Sequence, residues 1–213
     1  DTVGGGWGNS EVQTYTSTRV NSYVSGGTLK IAAVKGSSGS WTSARLKTKG
    51  LKEFTYGRIE FCAKLPSGYG TWPALWLLPA DNAYGVWPAS GELDVMEHGP
   101  SVTGLNVVYG TEHSTSGYGG GGKGTGSQTI STATTAFHTY ALEWSATSVS
   151  WYFDGALKGQ YTNPGTGSAA WPFDKNFYVI MNVAMGGTLG GTINSALTSD
   201  MMELDYVRVY AAK

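Results

Sequence analysis

The stretch that best indicates the fold reads YGRIEFCAKL and runs from Tyr56 to Leu65. Its apolar residues Ile59, Phe61 and Ala63 occupy alternate positions, and mainly charged residues stand between them. Successive side chains of a β-strand point to opposite faces, so this period of two predicts a strand with one buried face.

Further segments continue the β pattern. Residues 138–144 alternate in the same way, and residues 178–185 and 203–210 are β-rich runs. Residues 149–153 lead into Asp-Gly at 154–155, a pair that tolerates the positive φ values of a type I′ turn and so predicts a hairpin. Seven or more short strands without a helical period predict an all-β jelly-roll sandwich of two antiparallel sheets.

The chain is expected to form one domain over residues 1–213, since it contains neither an internal repeat nor a linker. Residues 114–128 are rich in glycine and are predicted to be a mobile loop.

The charge content argues against several kinds of partner. Only 14% of residues are charged, the formal net charge is -1, and no basic block occurs, so neither nucleic acid nor an anionic membrane surface is expected. No apolar run approaches the roughly 18 residues that predict a membrane span. We expect a monomer that binds an uncharged partner.

Aromatic residues and cysteine narrow the function further. Eight Trp, thirteen Tyr and six Phe exceed what the core needs, and their flat rings suit stacking on sugars. The single Cys62 excludes an internal disulfide framework and a cysteine-rich zinc site. No signal-like segment opens the chain, so we expect a secreted protein whose signal has been removed.

The most informative segment for function is GELDVMEHG, residues 91–99. On a regular strand, Glu92 and Asp94 point to one face and Glu97 points into the core, where a lone carboxylate is costly. One extra residue, a β-bulge at Val95 or Met96, would turn Glu97 back beside the other two acids. The alternative is a surface strand whose acids lie in water.

Three acids on one face suit the hydrolysis of a glycosidic bond. Retention of configuration needs two carboxyl groups roughly 5 to 5.5 Å apart, one as nucleophile and one as acid. Asp94 between them could bond to the nucleophile and, by its charge, keep the acid protonated. Trp87 and the tryptophans of TWPALWLLP, residues 71–79, supply stacking surface near this strand in sequence.

Seven motifs together resemble glycoside hydrolase family 16, in particular its endo-β-1,3-glucanase or laminarinase branch. They are GGWGNSE (5–11), TSARL (42–46), YGRIE (56–60), WPALW (72–76), WPASG (87–91), WPFD (171–174) and LDYVRVY (204–210).

The resemblance implies a concanavalin A-like jelly roll with a concave cleft, an endo-acting retaining mechanism, and no metal or cofactor in catalysis. It implies that Glu92 is the nucleophile, Asp94 the assisting residue and Glu97 the acid/base. Two residues separate Asp94 from Glu97, as in the laminarinase branch, whereas bacterial lichenases have one.

The resemblance also implies a set of substrate-binding residues, namely Asn9, Arg58, Trp72, Trp76, Trp87, His113 and Asn182. Two of these remain open from the sequence. Arg58 could instead pair with Glu60, and His113 could contact a catalytic carboxylate. His98 is expected to face away from the acids.

Many relatives bind a structural calcium on the convex side, through an acid of a first strand, a carbonyl near Gly27 and an aspartate at the position of Asp205. Here Asp1 stands close to the GGWGNSE segment, so part of that strand is expected to be missing. Calcium prefers six to eight oxygen ligands, and water would have to replace the missing one.

Three functions follow as hypotheses. The first is an endo-β-1,3-glucanase that acts on laminarin and on mixed-linkage glucans. The second is another family 16 hydrolase or transglycosylase, acting on agar, carrageenan or xyloglucan. The third is a lectin-like glucan-binding module without catalysis, which would not need three acids.

Overall fold

The computed structural model describes residue 2 and residues 8–212. Positions 5–7 of the GGWGNSE motif, and Asp1, lie outside the described residues. The strands of the described part are β1 (Gln13–Tyr15), β2 (Ser22–Ser25), β3 (Thr28–Lys35), β4 (Trp41–Ser43), β5 (Arg45–Lys47), β6 (Glu53–Phe54), β7 (Gly57–Lys64), β8 (Thr71–Pro79), β9 (Glu92–His98), β10 (Val107–His113), β11 (Lys123–Gly124), β12 (Gln128–Thr129), β13 (His138–Trp144), β14 (Ser148–Phe153), β15 (Ala156–Thr162), β16 (Phe177–Met185) and β17 (Ser199–Tyr210).

Over these residues the strands form two sheets. The nine-stranded sheet has the order β1-β4-β3-β17-β7-β13-β14-β15, with β2 paired to β3. The eight-stranded sheet, here called the cleft sheet, has the order β11-β10-β9-β8-β16-β5, with β12 on β10 and β6 on β16. The all-β sandwich is confirmed. The pairing departs from antiparallel at β1 and β4, two three-residue strands that run parallel.

The core lies between the two sheets. In β7, Ile59, Phe61 and Ala63 are buried, as the period of two predicts. From the cleft sheet, Leu75 and Leu93 belong to the same hydrophobic cluster. Because alternate residues of a strand face opposite sides of its sheet, the face of the cleft sheet away from this core can form a site.

The predicted hairpin is confirmed. Strands β14 and β15 pair Phe153 with Ala156, and the turn between them has positive φ at Asp154 (49°) and Gly155 (75°). Positive φ at both central residues is the requirement of a type I′ turn, which Asp-Gly meets at little cost.

Residues 114–128, predicted as a loop, contain more regular structure than expected. A 3₁₀ turn occupies Gly119–Gly121, and β11 pairs with β10 at the edge of the cleft sheet. The glycines allow a close approach of chains, since a Cβ on Gly124 would lie 1.9 Å from the carbonyl oxygen of Gly110. The mobility of this segment stays a prediction.

Helix is scarce in the described part of the chain. The one α-helix, α1, spans Gly187–Gly190 and follows the end of β16. Over the described residues, no helix has the length and apolar character that crossing a lipid bilayer requires.

Candidate active site

The cleft sheet carries a cleft of about 550 Å³ on its face away from the core. Alternation along β8 builds its floor, because Trp72 and Trp76 line the cleft while Leu75 and Leu77 are buried in the core. Strands β9 and β16 contribute further lining residues. The lining residues are Gly8, Asn9, Glu11, Tyr15, Arg45, Lys49, Trp72, Ala74, Trp76, Leu78, Pro79, Asn82, Trp87, Ser90, Gly91, Glu92, Asp94, Glu97, Tyr178, Asn182 and Ala184.

The predicted β-bulge is present in β9. Against β8, Trp76 pairs with Asp94 and Leu75 with Met96, so Val95 is the extra residue. Val95 and Met96 are both fully buried in the core cluster. Two consecutive inward side chains break the alternation, and Glu97 consequently lines the cleft together with Glu92 and Asp94.

Burial raises the pKa values of all three carboxyl groups, and the charge of a neighbouring acid adds to the rise at Glu92 and Asp94. Burial, and then the charge of Asp94, raise the pKa of Glu92 well above its usual range. The pKa of Asp94 is also raised well above its usual range, first by burial and then by the charge of Glu97. A hydrogen bond joins Glu92 and Asp94, so the two carboxyls can share one proton. Such crowding is the condition under which one carboxyl stays protonated at neutral pH.

Glu97 is held by an indole of the cleft floor. Trp72 Nε1 donates a 2.9 Å hydrogen bond to Glu97 Oε1. Burial raises the pKa of Glu97, and this hydrogen bond opposes the rise. The carboxyl is therefore fixed in direction and favoured in its protonated form, as an acid catalyst requires.

The structure places His113 beside Asp94 instead of among the residues that line the cleft. His113 Nε2 lies 2.9 Å from Asp94 Oδ2, and the ring packs at 6.1 Å from that of Trp87. The side chain is 11% exposed. The sequence left a sugar contact and a carboxylate contact open for His113, and the geometry favours the carboxylate.

Within the described residues, the only cluster with metal-binding potential is Glu92, Asp94 and His113, whose ligand atoms lie within 4.8 Å of one another. His113 Nε2 lies 2.9 Å from Asp94 Oδ2, and the Asp94 carboxyl is also hydrogen-bonded to Glu92. We therefore assign the cluster to the acid network.

Asn182 belongs to a second chain of contacts in the cleft. Trp76 Nε1 donates to Asn182 Oδ1 at 2.7 Å, and Asn182 Nδ2 donates to Tyr15 Oη at 3.2 Å. The guanidinium of Arg45 lies 4.7 Å from the centroid of the Tyr15 ring. Tyr15 and Arg45 were missed from the sequence. Arg45 stands in the quoted TSARL motif, whose chemistry was not considered, whereas nothing near Tyr15 in the chain singles it out.

Trp87 lies at the rim with half of its side chain exposed. The ring of Tyr118 packs edge-on against it at 5.6 Å between centroids and is 52% exposed. Tyr118 was also missed, because it belongs to the glycine-rich segment that was predicted to be only a loop. Asn9, the remaining predicted sugar contact, is exposed in the cleft, and its N–H bonds to Glu11 Oε2 at 2.9 Å.

Arg58 is not brought to the cleft, and its predicted sugar contact is corrected. It lies on β7 in the other sheet, where its Nη2 is 2.8 Å from Glu60 Oε2 and its Nη1 is 3.0 Å from Glu143 Oε1. The reason is the alternation that buries Ile59 in the core, since it turns Arg58 to the opposite, outer face of the sandwich.

Two other predictions concern residues outside the cleft. His98 is fully buried, and its Nδ1 lies 2.8 Å from the Val107 carbonyl oxygen, as expected for a structural histidine. Gly27 lies in the turn before β3, and Asp205 is exposed at a register shift of β17. One carbonyl and one carboxylate fall short of the six to eight oxygens that calcium prefers. Calcium binding stays a prediction.

Comparison with known proteins decides the family. A sequence profile described as "Glycosyl hydrolases family 16" matches residues 8–208. The chain belongs to this family. It is 43% identical to a β-glucanase of Rhodothermus marinus, with 99% of this chain and 77% of the relative covered.

A glucan endo-1,3-beta-glucosidase A1 of Niallia circulans is 38% identical, and the match covers 96% of this chain but one third (33%) of that relative. Among solved structures, the laminarinase from Rhodothermus marinus superimposes with a TM-score of 0.92 at 42% identity, covering 99% of this chain and 88% of that one. The predicted family, jelly-roll fold and hydrolase class are confirmed. The protein is a glycoside hydrolase.

Proposed function

We propose that this family 16 hydrolase cleaves internal β-1,3-glucosidic bonds of β-glucan with retention of configuration. The observation that carries the proposal is the bulge at Val95, which brings Glu97 to the same face as Glu92 and Asp94. Two carboxyl groups that flank one bond are what double displacement needs.

In the first step, Glu92 attacks the anomeric carbon while Glu97 gives its proton to the departing oxygen. A carboxylate must be ionised to attack, and the hydrogen bond between Glu92 and Asp94 lets their shared proton reside on Asp94 at that moment. Glu97, held by Trp72, is protonated before the step and ionised after it. The products are a covalent glycosyl-enzyme and a free chain end.

In the second step, Glu97 acts as a base. It takes a proton from water, whose oxygen attacks the anomeric carbon and displaces Glu92. Glu97 ends protonated, Glu92 ends ionised, and two inversions give net retention. No metal or cofactor is needed in this scheme.

The cleft surface suits a neutral glucan chain. Trp72 and Trp76 lie along the floor and Trp87 stands at the rim, so three indoles line the cleft. Aromatic faces stack on the apolar faces of sugars. The formal net charge of -1 offers no general attraction for sulfated galactans.

We also propose that the protein acts outside the cell and as a monomer. A polymeric glucan is too large to enter a cell intact, so an enzyme that cuts it internally has to meet it outside. A monomer leaves the whole cleft open to a long chain. Size-exclusion chromatography with light scattering would test the monomer, and a higher mass would overturn it.

The substrate proposal is tested with laminarin, lichenan, agarose, carrageenan and xyloglucan under one set of conditions. We expect laminarin to be cut fastest, lichenan to be cut as well, and early products to be long oligosaccharides. Faster cleavage of a galactan or xyloglucan would overturn the β-1,3-glucanase proposal and assign the protein to another branch of the family. Binding of laminarin without any cleavage would support the lectin-like alternative.

A further inference from the structure

Trp151 connects the opposite sheet to the acidic strand. It lies on β14, is fully buried, and donates a 2.8 Å hydrogen bond from Nε1 to the backbone carbonyl oxygen of Asp94. A second buried tryptophan makes a bond of the same kind elsewhere, from Trp144 Nε1 to the carbonyl oxygen of Phe173, also at 2.8 Å. The two bonds differ in one respect, since only that of Trp151 reaches the acidic strand.

The accepting carbonyl stands where the bulge begins. Asp94 is the last residue of β9 in regular register before Val95, and the next pairs are Met96 with Leu75 and Glu97 with Tyr109. A bulge disrupts the ladder locally, and a buried carbonyl without a donor is costly. The indole N–H therefore provides a hydrogen-bond donor for the Asp94 carbonyl at the position where the bulge turns Glu97 toward the cleft.

Gly110 provides the room for this indole. A Cβ at Gly110 would lie 2.2 Å from Trp151 Cδ1, 2.5 Å from its Nε1 and 3.0 Å from the Asp94 oxygen. The backbone of Gly110 is bonded to Thr125, whose Oγ1 accepts the glycine N–H at 3.0 Å and whose N–H donates to the glycine carbonyl at 3.0 Å. The hydrogen bonds to Thr125 thus fix the backbone of β10 at Gly110, and the absent side chain of this glycine leaves space for the indole of Trp151.

We propose that Trp151 is a positioning residue: through the Asp94 carbonyl it fixes the bulge of β9 and thereby the placement of Glu97 relative to Glu92. The proposal rests on the proposed function for its kinetic consequence. Its structural consequence, the direction of the Glu97 carboxyl, does not depend on any substrate.

The test compares two substitutions that remove the same kind of bond. Trp151→Phe keeps an aromatic ring and deletes the N–H that reaches Asp94, whereas Trp144→Phe deletes the N–H that reaches Phe173. Both remove a nine-atom indole from the core, so both should lower the unfolding temperature to a similar extent. Activity is measured well below the unfolding temperature of either variant.

We expect Trp151→Phe to lower kcat on laminarin on the order of 10²-fold, because small misplacements of catalytic groups have effects of this size. KM should remain within about twofold, since the sugar contacts are untouched, and Trp144→Phe should keep kcat within about twofold of wild type. For an aryl β-glucoside oligomer with a good leaving group, kcat/KM reports only the first step and should be affected much less by Trp151→Phe, because that step does not need the proton of Glu97. Equal kcat losses in the two variants would overturn the proposal.

A second variant approaches the same contact from the other side. In Gly110→Ala the new methyl group would displace the indole, so this variant should show the same selective loss of kcat on laminarin even if Trp151→Phe fails to fold. The smaller phenyl ring relieves the clash, so the double variant should lose less than the product of the two single losses. Independent, multiplicative losses would contradict the proposed contact.

A crystal structure of each variant separates this inference from the proposed function. In Trp151→Phe or Gly110→Ala, we expect Glu97 to leave hydrogen-bonding distance of Trp72 Nε1, while Trp144→Phe keeps that bond. An unchanged Glu97 in the first two variants would refute the positioning role, whatever the substrate. If the wild-type protein cuts no β-glucan, the proposed function is refuted. The position of the Glu97 carboxyl in the variant structures would still test the positioning role of Trp151.

Discussion

Replacing Glu97 with glutamine removes one proton from the cleft and changes little else. The amide has the size of the carboxyl, and its oxygen can accept the same 2.9 Å hydrogen bond from Trp72 Nε1. The bulge at Val95 involves the backbone and two buried side chains, so it is unaffected. What the variant lacks is the ability to protonate the departing oxygen.

The expected loss follows from that single deficiency. Acid–base catalysis by a positioned side chain contributes on the order of 10² to 10⁴-fold, which corresponds to about 2.7 to 5.4 kcal/mol of transition-state stabilisation. We therefore expect kcat/KM on laminarin to fall by roughly this factor. For an aryl glycoside whose leaving group is a weak base, kcat/KM should fall less than about tenfold, because that bond breaks without protonation.

The assay measures kcat/KM on both substrates for wild type and Glu97→Gln, with circular dichroism to confirm the fold. Azide provides a further readout, because a small anion can attack the glycosyl-enzyme without base assistance and should yield a β-glycosyl azide. Equal losses on laminarin and on the aryl glycoside would refute the assignment of Glu97. So would the absence of azide product while the aryl glycoside is still turned over.

Three further outcomes are expected. Glu92→Ser should abolish laminarin hydrolysis yet leave the fold and glucan binding intact. Calorimetric titration with a laminari-oligosaccharide would show the retained binding. Turnover at the wild-type rate would exclude Glu92 as nucleophile. Because burial raises the folded-state pKa of Glu92, its stabilising contribution is complete below the ordinary carboxyl pKa and is lost as pH rises through the folded value. The unfolding temperature of Glu92→Gln, measured relative to that of wild type, should therefore rise from acidic to neutral pH. A difference that does not change with pH would contradict the raised pKa. Tyr118→Ala should raise KM for long laminari-oligosaccharides about three- to tenfold, as expected for one lost stacking contact, with kcat unchanged. An equal effect on the shortest substrate would show that Tyr118 does not bind the distal part of a long chain.

Alternation was enough to predict strand β7, and the Asp154-Gly155 pair was enough to predict the hairpin, because both features depend on neighbouring residues. The bulge was predicted from the cost of burying Glu97, while a surface strand with its acids in water stayed open as the alternative. The strand order is not contained in such patterns. The family resemblance placed Arg58 among the substrate-binding residues, with an ion pair to Glu60 left open. The alternation that buries Ile59 turns Arg58 outward on the other sheet.

The same limit explains what was missed. Tyr118 lies in the connection between β10 and β11, at the edge of the cleft sheet, and its ring packs against that of Trp87. The spacing of residues in the sequence does not indicate this contact. The bond from Trp151 to the Asp94 carbonyl joins residues that are 57 positions apart and lie on opposite sheets. Contacts of this kind depend on how the two sheets are stacked, which the pattern of a single strand does not specify.

The stereochemistry of the first product tests the central claim most directly, because it depends on how close the carboxyls of Glu92 and Glu97 lie. Proton NMR followed from the first minutes of laminarin hydrolysis should show the β-anomer of the new reducing end first, with the α-anomer growing only by mutarotation. This outcome requires carboxyl groups about 5 to 5.5 Å apart. Initial release of the α-anomer would mean inversion, and with it a wider pair of acids than the bulge of β9 is proposed to create.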